Sequence, residues 1–256
     1  MNTKFRLDLR VISRPFAAFF FAWGFRIRSM PLEAVFFDVG STLVFPNLEV
    51  TLAPLLERGV RPEQAQLFAA ERRAKREMDA LMMQAGRVDQ QYWETYYRCV
   101  LEDLAIDDAA LPALVSAART SANWTRVLPG TRATIEELGR RYKLGVISNS
   151  DGRVAELLGK CGLGGCFTRI TDSGAVGHEK PDARIFQAAL DSLGVTAEKS
   201  VYIGDIYSID YLGARNAELH AVLMDVCGAY SNTATPRVES LEELAASLEQ
   251  LGLASP

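Results

Sequence analysis

The chain has 256 residues, of which 48% are hydrophobic and 23% charged, and its net charge is −4. This length exceeds one average domain but falls short of two full ones, so we expect one core domain with a smaller inserted unit. The composition is typical of a globular protein. The slightly acidic charge gives no general attraction to nucleic acid, so nucleic acid is not an expected partner.

Residues 1–30 form a basic N-terminal segment. They carry six basic residues against one acid, a net charge of +5, which leaves −9 for the rest of the chain. Their uncharged run, PFAAFFFAWGF (15–25), is shorter than the roughly 20 apolar residues that span a bilayer. No small-residue cleavage pattern follows the run. We interpret residues 1–30 as a disordered extension or a mis-assigned start, with Met30 as the real start, and expect no membrane partner.

The first predicted strand is AVFFDV (34–39), an apolar run rich in β-forming residues. It ends beside a single carboxylate, Asp38, and a Gly-Ser-Thr turn follows it. From residue 45 to residue 128 the pattern is helical and contains no convincing strand. We therefore expect an all-α insert over residues 45–128, roughly 80 residues long and thus the size of a small domain. Its only lysine, Lys75, is interpreted as a solvated helical charge.

Residues 129–256 return to an alternating pattern. Predicted strands KLGVIS (143–148), TRIT (168–171), SVYIGD (200–205) and HAVLMD (220–225) alternate with helical segments. The helix over DARIFQAALDSLG is expected to begin at Asp182 and to stop at Gly194. Near-continuous apolar strands are typical of a parallel sheet. Residues 31–44 and 129–256 therefore predict an α/β core domain with a doubly wound, Rossmann-like parallel sheet.

The four cysteines are Cys99, Cys161, Cys166 and Cys227. None of them forms a CxxC pair, and the chain has only two histidines to complete a metal site. We expect buried, reduced thiols in a cytoplasmic protein.

Polar residues at the strand ends carry the candidate chemistry. Ligands of doubly wound sheets bind beyond the carboxyl ends of the strands. If the first and fourth predicted strands are neighbours, Asp38, Asp205 and Asp210 converge, and three ionised carboxylates need a cation. Oxygen ligands without nearby histidine or cysteine favour Mg²⁺. With Lys180 and the hydroxyl of Ser148 they form a phosphate-binding set, in which a carboxylate can attack phosphorus to give an aspartyl-phosphate.

The order of these residues resembles the haloacid dehalogenase-like (HAD) superfamily, over residues 33 to about 251. The first family motif, DxDxT, reads DVGST here, with Asp38 at the nucleophile position. The second motif is Ser148 in VISNS, and the third is Lys180 in EKPDARIF. The fourth is the acidic motif GDIYSID, which contains Asp205 and Asp210. The helical insert looks like the C1-type cap of this family.

The resemblance implies a role for each matched residue. Asp38 would be the nucleophile and a Mg²⁺ ligand, with Ser148 and Lys180 as its catalytic partners at the transferring phosphoryl group. The metal ligands would be Asp38, the backbone carbonyl of Gly40, Asp205 and Asp210. The phosphate-binding or substrate-binding residues would be Ser41, Thr42, Ser148, Asn149 and Lys180. The implied substrate is a small phosphorylated metabolite, and the oligomeric state is left open.

Two positions depart from the family pattern. In family phosphatases the second carboxylate of DxDxT protonates the leaving oxygen and then activates water. Gly40 has no side chain for either step, and such proton transfer is typically worth about 10²–10⁴ in rate. The backbone metal contact would survive. Glu218 stands near the point where the family often ends a helix with glycine, which predicts a small stability cost.

Four functional interpretations follow. The favoured one is a Mg²⁺-dependent phosphohydrolase whose substrate has a good leaving group, such as an acyl phosphate, or whose acid comes from elsewhere. The second is a non-enzymatic binder of a phosphate or a partner. The third is a 2-haloacid dehalogenase, in which attack on carbon needs neither metal nor an acid at this position. The fourth resembles phosphonoacetaldehyde hydrolases, which use a cap lysine as a Schiff base, and here that lysine would be Lys75.

Overall fold

The structure is a computed structural model that describes residues 31–85, 91–251 and 253. The basic segment 1–30, with the expected start at Met30, lies outside the described residues. Within the described ranges, no helix combines the length and the apolar character that crossing a bilayer requires.

Six parallel strands form the central sheet, and two further strands form a separate ribbon. In chain order the strands are β1 (Ala34–Phe37), β2 (Phe45–Pro46), β3 (Trp124–Arg126), β4 (Lys143–Ser148), β5 (Arg169–Asp172), β6 (Ser200–Gly204), β7 (His220–Met224) and β8 (Arg237–Val238). The spatial order in the sheet is β5-β4-β1-β6-β7-β8, and every pairing is parallel. The predicted doubly wound parallel sheet is confirmed. The five predicted strands all lie in it, with ends shifted by at most two residues.

Helices fill the insert and cover both faces of the sheet. Those of the insert are α1 (Leu48–Thr51), α2 (Ala53–Leu56), α3 (Gln64–Ala85), α4 (Tyr92–Asp103) and α5 (Leu111–Arg119). Those of the α/β part are α6 (Thr131–Leu138), α7 (Val154–Lys160), α8 (Ser173–Val176), α9 (Ala183–Leu193), α10 (Leu212–Asn216) and α11 (Leu244–Gln250). Among the described residues, short 3₁₀ turns occur at Asp108–Ala110, Ser121–Asn123, Ala197–Lys199 and Leu241–Glu243.

The side chains of strand β1 show why helices cover both faces of the sheet. Its side chains alternate between the two faces, as the pleat of a strand requires. Val35 and Phe37 pack in the apolar cluster that includes residues of α6, α7 and α11. Ala34 and Phe36 pack in the cluster that includes residues of α9 and α10. All four are completely buried, so β1 lies at the centre of the domain.

Helix α9 has the limits that its sequence predicts. The Asp182 carboxylate accepts a hydrogen bond from the backbone N–H of Arg184 at 2.9 Å, which caps the first turn. Gly194 ends the helix with a φ of +62°, a conformation that glycine adopts without steric cost. Lys180 and Pro181 immediately precede the Asp182 cap, so the start of the helix determines where Lys180 lies at the edge of the sheet.

The insert has its own apolar core, built by α1, α2, α3, α4 and α5. The expectation that it contains no strand is wrong at its two ends. There β2 and β3 form an antiparallel ribbon in which Phe45 pairs with Arg126 and Pro46 with Trp124. The two chain segments that connect the insert to the α/β part therefore run side by side and form backbone hydrogen bonds with each other. Strands of two or three residues are too short to show a periodic pattern, which also explains why β8 was missed.

Candidate active site

The strand-end residues meet at one edge of the sheet. β1 lies between β4 and β6, with Phe37 in register with Val146 on one side and Ile203 on the other. Asp38 follows β1 directly, Ser148 ends β4, and Asp205 follows β6. The parallel pairing thus brings these three side chains to neighbouring positions, at the point where the strand order reverses.

Asp38, Asp205 and Asp210 form a buried cluster whose oxygen atoms lie within 4.8 Å of one another. Burial raises the pKa of Asp38 to about 6 and that of Asp205 to about 7, against the lowering effect of nearby lysines. Such closely spaced carboxylates are unfavourable when ionised, and a divalent cation would relieve the repulsion. The donor set of hard oxygen atoms fits Mg²⁺.

Asp210 reaches the cluster because the chain after Asp205 makes one turn of π-helix, Tyr207–Tyr211. The carboxylate of Asp210 then accepts a hydrogen bond from the backbone N–H of Ile206 at 2.9 Å. Gly204 permits this approach, since a Cβ at that position would lie 2.4 Å from the Asp210 carboxyl carbon. The glycine and the second aspartate of GDIYSID are therefore sterically linked.

Lys180 lies at the centre of the carboxylate cluster and is 3% exposed. Its Nζ donates to Asp38 Oδ1 and to Asp210 Oδ1, both at 2.7 Å. Burial opposes the charge of the lysine, but the carboxylates of Asp210 and Asp38 outweigh this effect and raise its pKa. Lys180 is thus a fixed cation beside the candidate nucleophile.

Two further residues hold Lys180 in place. Asn149 Oδ1 accepts from the backbone N–H of Lys180 at 2.7 Å, and Asn149 Nδ2 donates to its carbonyl at 3.0 Å. The Tyr202 hydroxyl accepts from Lys180 Nζ at 2.7 Å and lies 3.0 Å from Asp210 Oδ1. Tyr202 was missed in the sequence analysis. A signal for Tyr202 was present in the sequence, because a tyrosine within a buried strand has a hydroxyl that requires a polar partner.

The turn after Asp38 carries the next three predicted residues, but only two of them reach the site. Ser41 has a φ of +53°, uncommon for a residue with a side chain, and its N–H donates to the carbonyl of Val44 at 2.9 Å. Thr42 is completely buried, and its Oγ1 has no hydrogen-bond partner among the described residues. Gly40 and Ser41 line the cavity in front of Asp38.

This cavity has a volume of about 420 Å³. Its lining includes eight predicted site residues: Asp38, Gly40, Ser41, Ser148, Asn149, Lys180, Asp205 and Asp210. The insert contributes Met78, Tyr92, Trp93 and Trp124, among others. Sequence analysis assigned no ligand contact to the aromatic residues of the insert, because helical periodicity does not separate an aromatic core from an aromatic cavity wall.

Trp124 stands over Gly40. A Cβ built on Gly40 would lie 3.3 Å from Cζ3 of the indole, tighter than ordinary van der Waals contact. The indole is held from two sides: Nε1 donates to the carbonyl of Ala118 at 2.8 Å, and the ring meets Trp93 edge-on at 5.5 Å between centroids. A carboxylate side chain at position 40 would therefore require Trp124 to move.

Lys75 is not a solvated charge, and that prediction was wrong. It is 1% exposed, and its Nζ lies 2.9 Å from Asp205 Oδ2 and 3.0 Å from Glu71 Oε1. Burial opposes its charge, but Asp205 and Glu71 outweigh burial and hold its pKa well above the ordinary value. The error arose because the partner Asp205 is distant in sequence and invisible to a local charge pattern.

Helix α3 thereby brings a charged group of the insert to the candidate metal site. One turn after Lys75, Asp79 accepts hydrogen bonds from the backbone N–H of Ser208 and from the Tyr230 hydroxyl, both at 2.9 Å. On the preceding turn, Arg72 donates to the carbonyl of Cys227 at 2.8 Å. These contacts dock α3 on the turn between Asp205 and Asp210 and on the loop that follows β7.

Comparison with known proteins gives one consistent family. The profile of the haloacid dehalogenase-like hydrolases matches residues 32–218. Haloacid dehalogenase-like hydrolase domain-containing protein 3 of Danio rerio is 30% identical over 239 residues, 86% of this chain and 98% of that protein. Glyceraldehyde 3-phosphate phosphatase of Methanothermobacter thermautotrophicus is 39% identical over 102 residues, which cover 39% of this chain and 45% of that enzyme.

Solved structures agree on the fold. A HAD-hydrolase from Bacillus subtilis, bound to magnesium, superposes with a TM-score of 0.62 at 19% identity, covering 86% of this chain and 99% of that one. A 2-haloacid dehalogenase from Pseudomonas syringae pv. Tomato DC3000 superposes with a TM-score of 0.53 at 22% identity, with the same coverage. At these identities the likeness concerns the fold alone.

Proposed function

This chain belongs to the haloacid dehalogenase-like hydrolases, and we propose that it is a Mg²⁺-dependent phosphohydrolase that acts on a small phosphorylated substrate. The observation that carries the proposal is the buried cluster of Asp38, Asp205 and Asp210 at the end of a cavity, with Lys180 between two of them. Displacement of halide from carbon needs no such cluster. The partial match to glyceraldehyde 3-phosphate phosphatase supports the same class of substrate.

In the proposed reaction Asp38 attacks phosphorus, and the phosphoryl group moves to its carboxylate as an aspartyl-phosphate. Ser148 would bind an equatorial oxygen of the phosphoryl group, and Lys180, whose Nζ donates to Asp38, Asp210 and Tyr202, would neutralise the phosphoryl charge and favour the ionised form of Asp38. Mg²⁺ held by Asp38, Asp205, Asp210 and the backbone at Gly40 would neutralise the phosphate charge. Water then attacks phosphorus and releases phosphate from Asp38.

The supporting residues have distinct proposed roles. Asn149 holds the backbone of Lys180 through its side chain, so any phosphate contact would come from its backbone. Ser41 and Thr42 shape the turn that carries the metal-binding carbonyl. Residues 45–128 would act as a C1-type cap over residues 31–44 and 129–256. We also propose a cytoplasmic location, which the free state of all four cysteines supports.

Steady-state kinetics with and without Mg²⁺ test this proposal. We expect Mg²⁺-dependent turnover of acetyl phosphate, whose leaving group needs little acid help, and its loss in Asp38→Asn. Glyceraldehyde 3-phosphate is a second substrate to assay. A chain that turns over no phosphate compound with Mg²⁺ would instead support the non-enzymatic binder. Release of chloride from a 2-haloacid would support the dehalogenase.

The interpretation as a phosphonoacetaldehyde hydrolase is not favoured by the geometry of Lys75. A Schiff-base lysine has to lose its proton to attack a carbonyl. Lys75 is instead held between two carboxylates that stabilise its charged form. Unchanged turnover of phosphonoacetaldehyde by Lys75→Arg would exclude the covalent role.

A further inference from the structure

The leaving group of the proposed reaction meets no suitable acid. Four carboxylates line the cavity within the described part of the chain, and three of them are the cluster of Asp38, Asp205 and Asp210. The fourth is Asp151, whose Oδ2 accepts from Arg153 at 2.6 Å. This hydrogen bond lowers the pKa of Asp151, so the carboxylate is ionised at neutral pH.

The insert offers an aromatic wall instead of an acid. Tyr92, Trp93 and Trp124 all line the cavity. Burial raises the pKa of Tyr92 well above its usual value, which makes its hydroxyl a poor proton donor. Trp124 crowds the position that a side chain on residue 40 would start from, with 3.3 Å between a built Cβ and its Cζ3, and its indole contacts Ala118 and Trp93.

Resting on the proposed function, we propose that the substrates are aryl phosphates, and that Trp124 is the residue that selects their flat leaving group. One side chain then accounts for two properties of the site. By crowding the position beside Gly40, Trp124 disfavours an acid side chain there. By presenting a rigid aromatic surface at that point, it offers a ring a stacking or edge-to-face contact.

The chemistry of an aryl leaving group matches the missing acid. Phenols have a pKa near 10, as in the tyrosine side chain, whereas alcohols resemble water in being far weaker acids. A phenolate can therefore depart without being protonated in the transition state. Loss of acid catalysis would penalise alkyl phosphates by about 10²–10⁴ and aryl phosphates far less.

The step balances without a further reactant. A carboxylate oxygen of Asp38 forms a bond to phosphorus, the bond between phosphorus and the aryl oxygen breaks, and its electron pair leaves on the phenolate. Water then forms a new bond to phosphorus, and the bond to Asp38 breaks. The proton that the water releases is matched by the proton that the phenolate gains in solution. The volume of about 420 Å³ is within the range of small-molecule sites and accommodates such a substrate.

The test compares phenyl phosphate, cyclohexyl phosphate and acetyl phosphate at saturating Mg²⁺. Phenyl and cyclohexyl phosphate are similar in size but differ in flatness and in leaving-group acidity. In the wild type we expect kcat/KM for phenyl phosphate to exceed that for cyclohexyl phosphate by at least about 100-fold. Trp124→Leu should lower the ratio of kcat/KM for phenyl phosphate to that for acetyl phosphate by up to about tenfold, the size of one aromatic contact. Trp124→Phe should restore most of that ratio.

This ratio distinguishes a loss of substrate selection from a folding defect, because a general structural defect lowers kcat/KM for phenyl phosphate and for acetyl phosphate together. An unchanged ratio in Trp124→Leu would overturn the inference. So would equal turnover of cyclohexyl and phenyl phosphate by the wild type, which needs no variant to fold. Both of these results leave the phosphohydrolase in place as long as acetyl phosphate is hydrolysed. Failure of acetyl phosphate itself would overturn the proposed function.

Discussion

At the residue scale, Gly40 and Trp124 share one small space beside Asp38. The 3.3 Å approach of a built Cβ to the indole means that a side chain at position 40 requires Trp124 to shift by a few tenths of an ångström. The hydrogen bond to Ala118 and the ring contact with Trp93 oppose that shift. We therefore expect an acid at position 40 to be accommodated better when Trp124 is also replaced by a smaller residue.

We expect Gly40→Asp alone to lower thermal stability without raising turnover, because the new side chain collides with Trp124. The double variant Gly40→Asp/Trp124→Leu has room for the carboxylate. Its kcat for cyclohexyl phosphate should exceed that of Trp124→Leu alone by about 10²-fold or more. Steady-state kinetics on the three variants provide the measurement. A single Gly40→Asp variant as active as the double one would show that Trp124 does not block the position.

Several of the residues that sequence analysis placed at the site lie at the ends of strands. Asp38, Ser148 and Asp205 were predictable because the rule for parallel sheets fixes where such residues meet. The contacts of Tyr202 and Trp124 were not predictable. Each depends on how a side chain packs against residues that are distant in sequence, and no local pattern records that packing.

At the element scale, helix α3 docks on the core through a buried charge. Lys75 is enclosed between Glu71 of its own helix and Asp205 of the sheet edge. Two residues earlier on the same helix, Arg73 makes ion pairs with Glu102 and Asp103 while remaining 38% exposed in its side chain. The two positions allow a matched comparison of a buried and an exposed ion pair.

We expect Lys75→Met to destabilise the metal-free protein by about 3–5 kcal/mol, because it leaves Asp205 buried without its cation. Arg73→Met should cost less than about 1 kcal/mol, since water screens its surface pairs. Urea unfolding in the presence of a chelator measures both values. Equal losses in the two variants would mean that the Lys75 contact does not anchor α3.

The end of α10 carries a second measurable feature. Glu218 follows the helix with a φ of +66°, in the left-handed region that disfavours a side chain. The backbone N–H of Leu219 closes this end by donating to the carbonyl of Ala214 at 3.0 Å. The exposed Glu218 side chain gives no compensating burial.

Glu218→Gly should therefore stabilise the protein by about 1 kcal/mol, since glycine adopts this conformation freely. A matched control is Ala113→Gly at an exposed position inside α5, where the same residue should destabilise by about 0.5–1 kcal/mol. Thermal or urea unfolding of the two variants measures whether each change raises or lowers the stability. A loss of stability in Glu218→Gly would contradict the expectation.

Elements with a clear period were predictable, and those without one were not. Five of the six strands of the sheet follow from apolar runs, and helix α9 follows from its apolar period and from the capping residues Asp182 and Gly194. The ribbon of β2 and β3 depends on the pairing of two segments about 80 residues apart in the chain. Pairing of this kind is a tertiary property, so the local sequence does not encode it.

At the scale of the whole molecule, the uncompensated charge of the site bears on stability. Asp38, Asp205 and Asp210 carry three carboxylates into a buried space that holds Lys180 and Lys75. A cation that binds only the native state stabilises it by mass action, by about 2.7 kcal/mol at 100 times its Kd.

We expect saturating MgCl₂ to raise the Tm by roughly 5–10 °C relative to a chelator. NaCl at equal ionic strength should leave the Tm nearly unchanged, because buried groups are little affected by screening. Differential scanning calorimetry measures the shift. A Tm that responds equally to both salts would argue against a specific site.

The fold class of the whole chain could be predicted because it depends on the alternation of strands and helices. The shape of the cavity could not, because its walls come from both the sheet edge and the insert. Function divides in the same way into a predictable and an unpredictable part. The motif residues indicate the type of reaction, whereas Trp124 and its neighbours affect which substrate fits the cavity.

The aromatic wall also gives the protein an optical probe of its own. The chain has three tryptophans, and two of them, Trp93 and Trp124, line the cavity. Indole emission depends on the polarity of its surroundings and on nearby quenching groups. With the third, Trp23, replaced by phenylalanine, all tryptophan fluorescence would come from residues that line the cavity. Occupancy of the cavity could then be followed in real time without any added label.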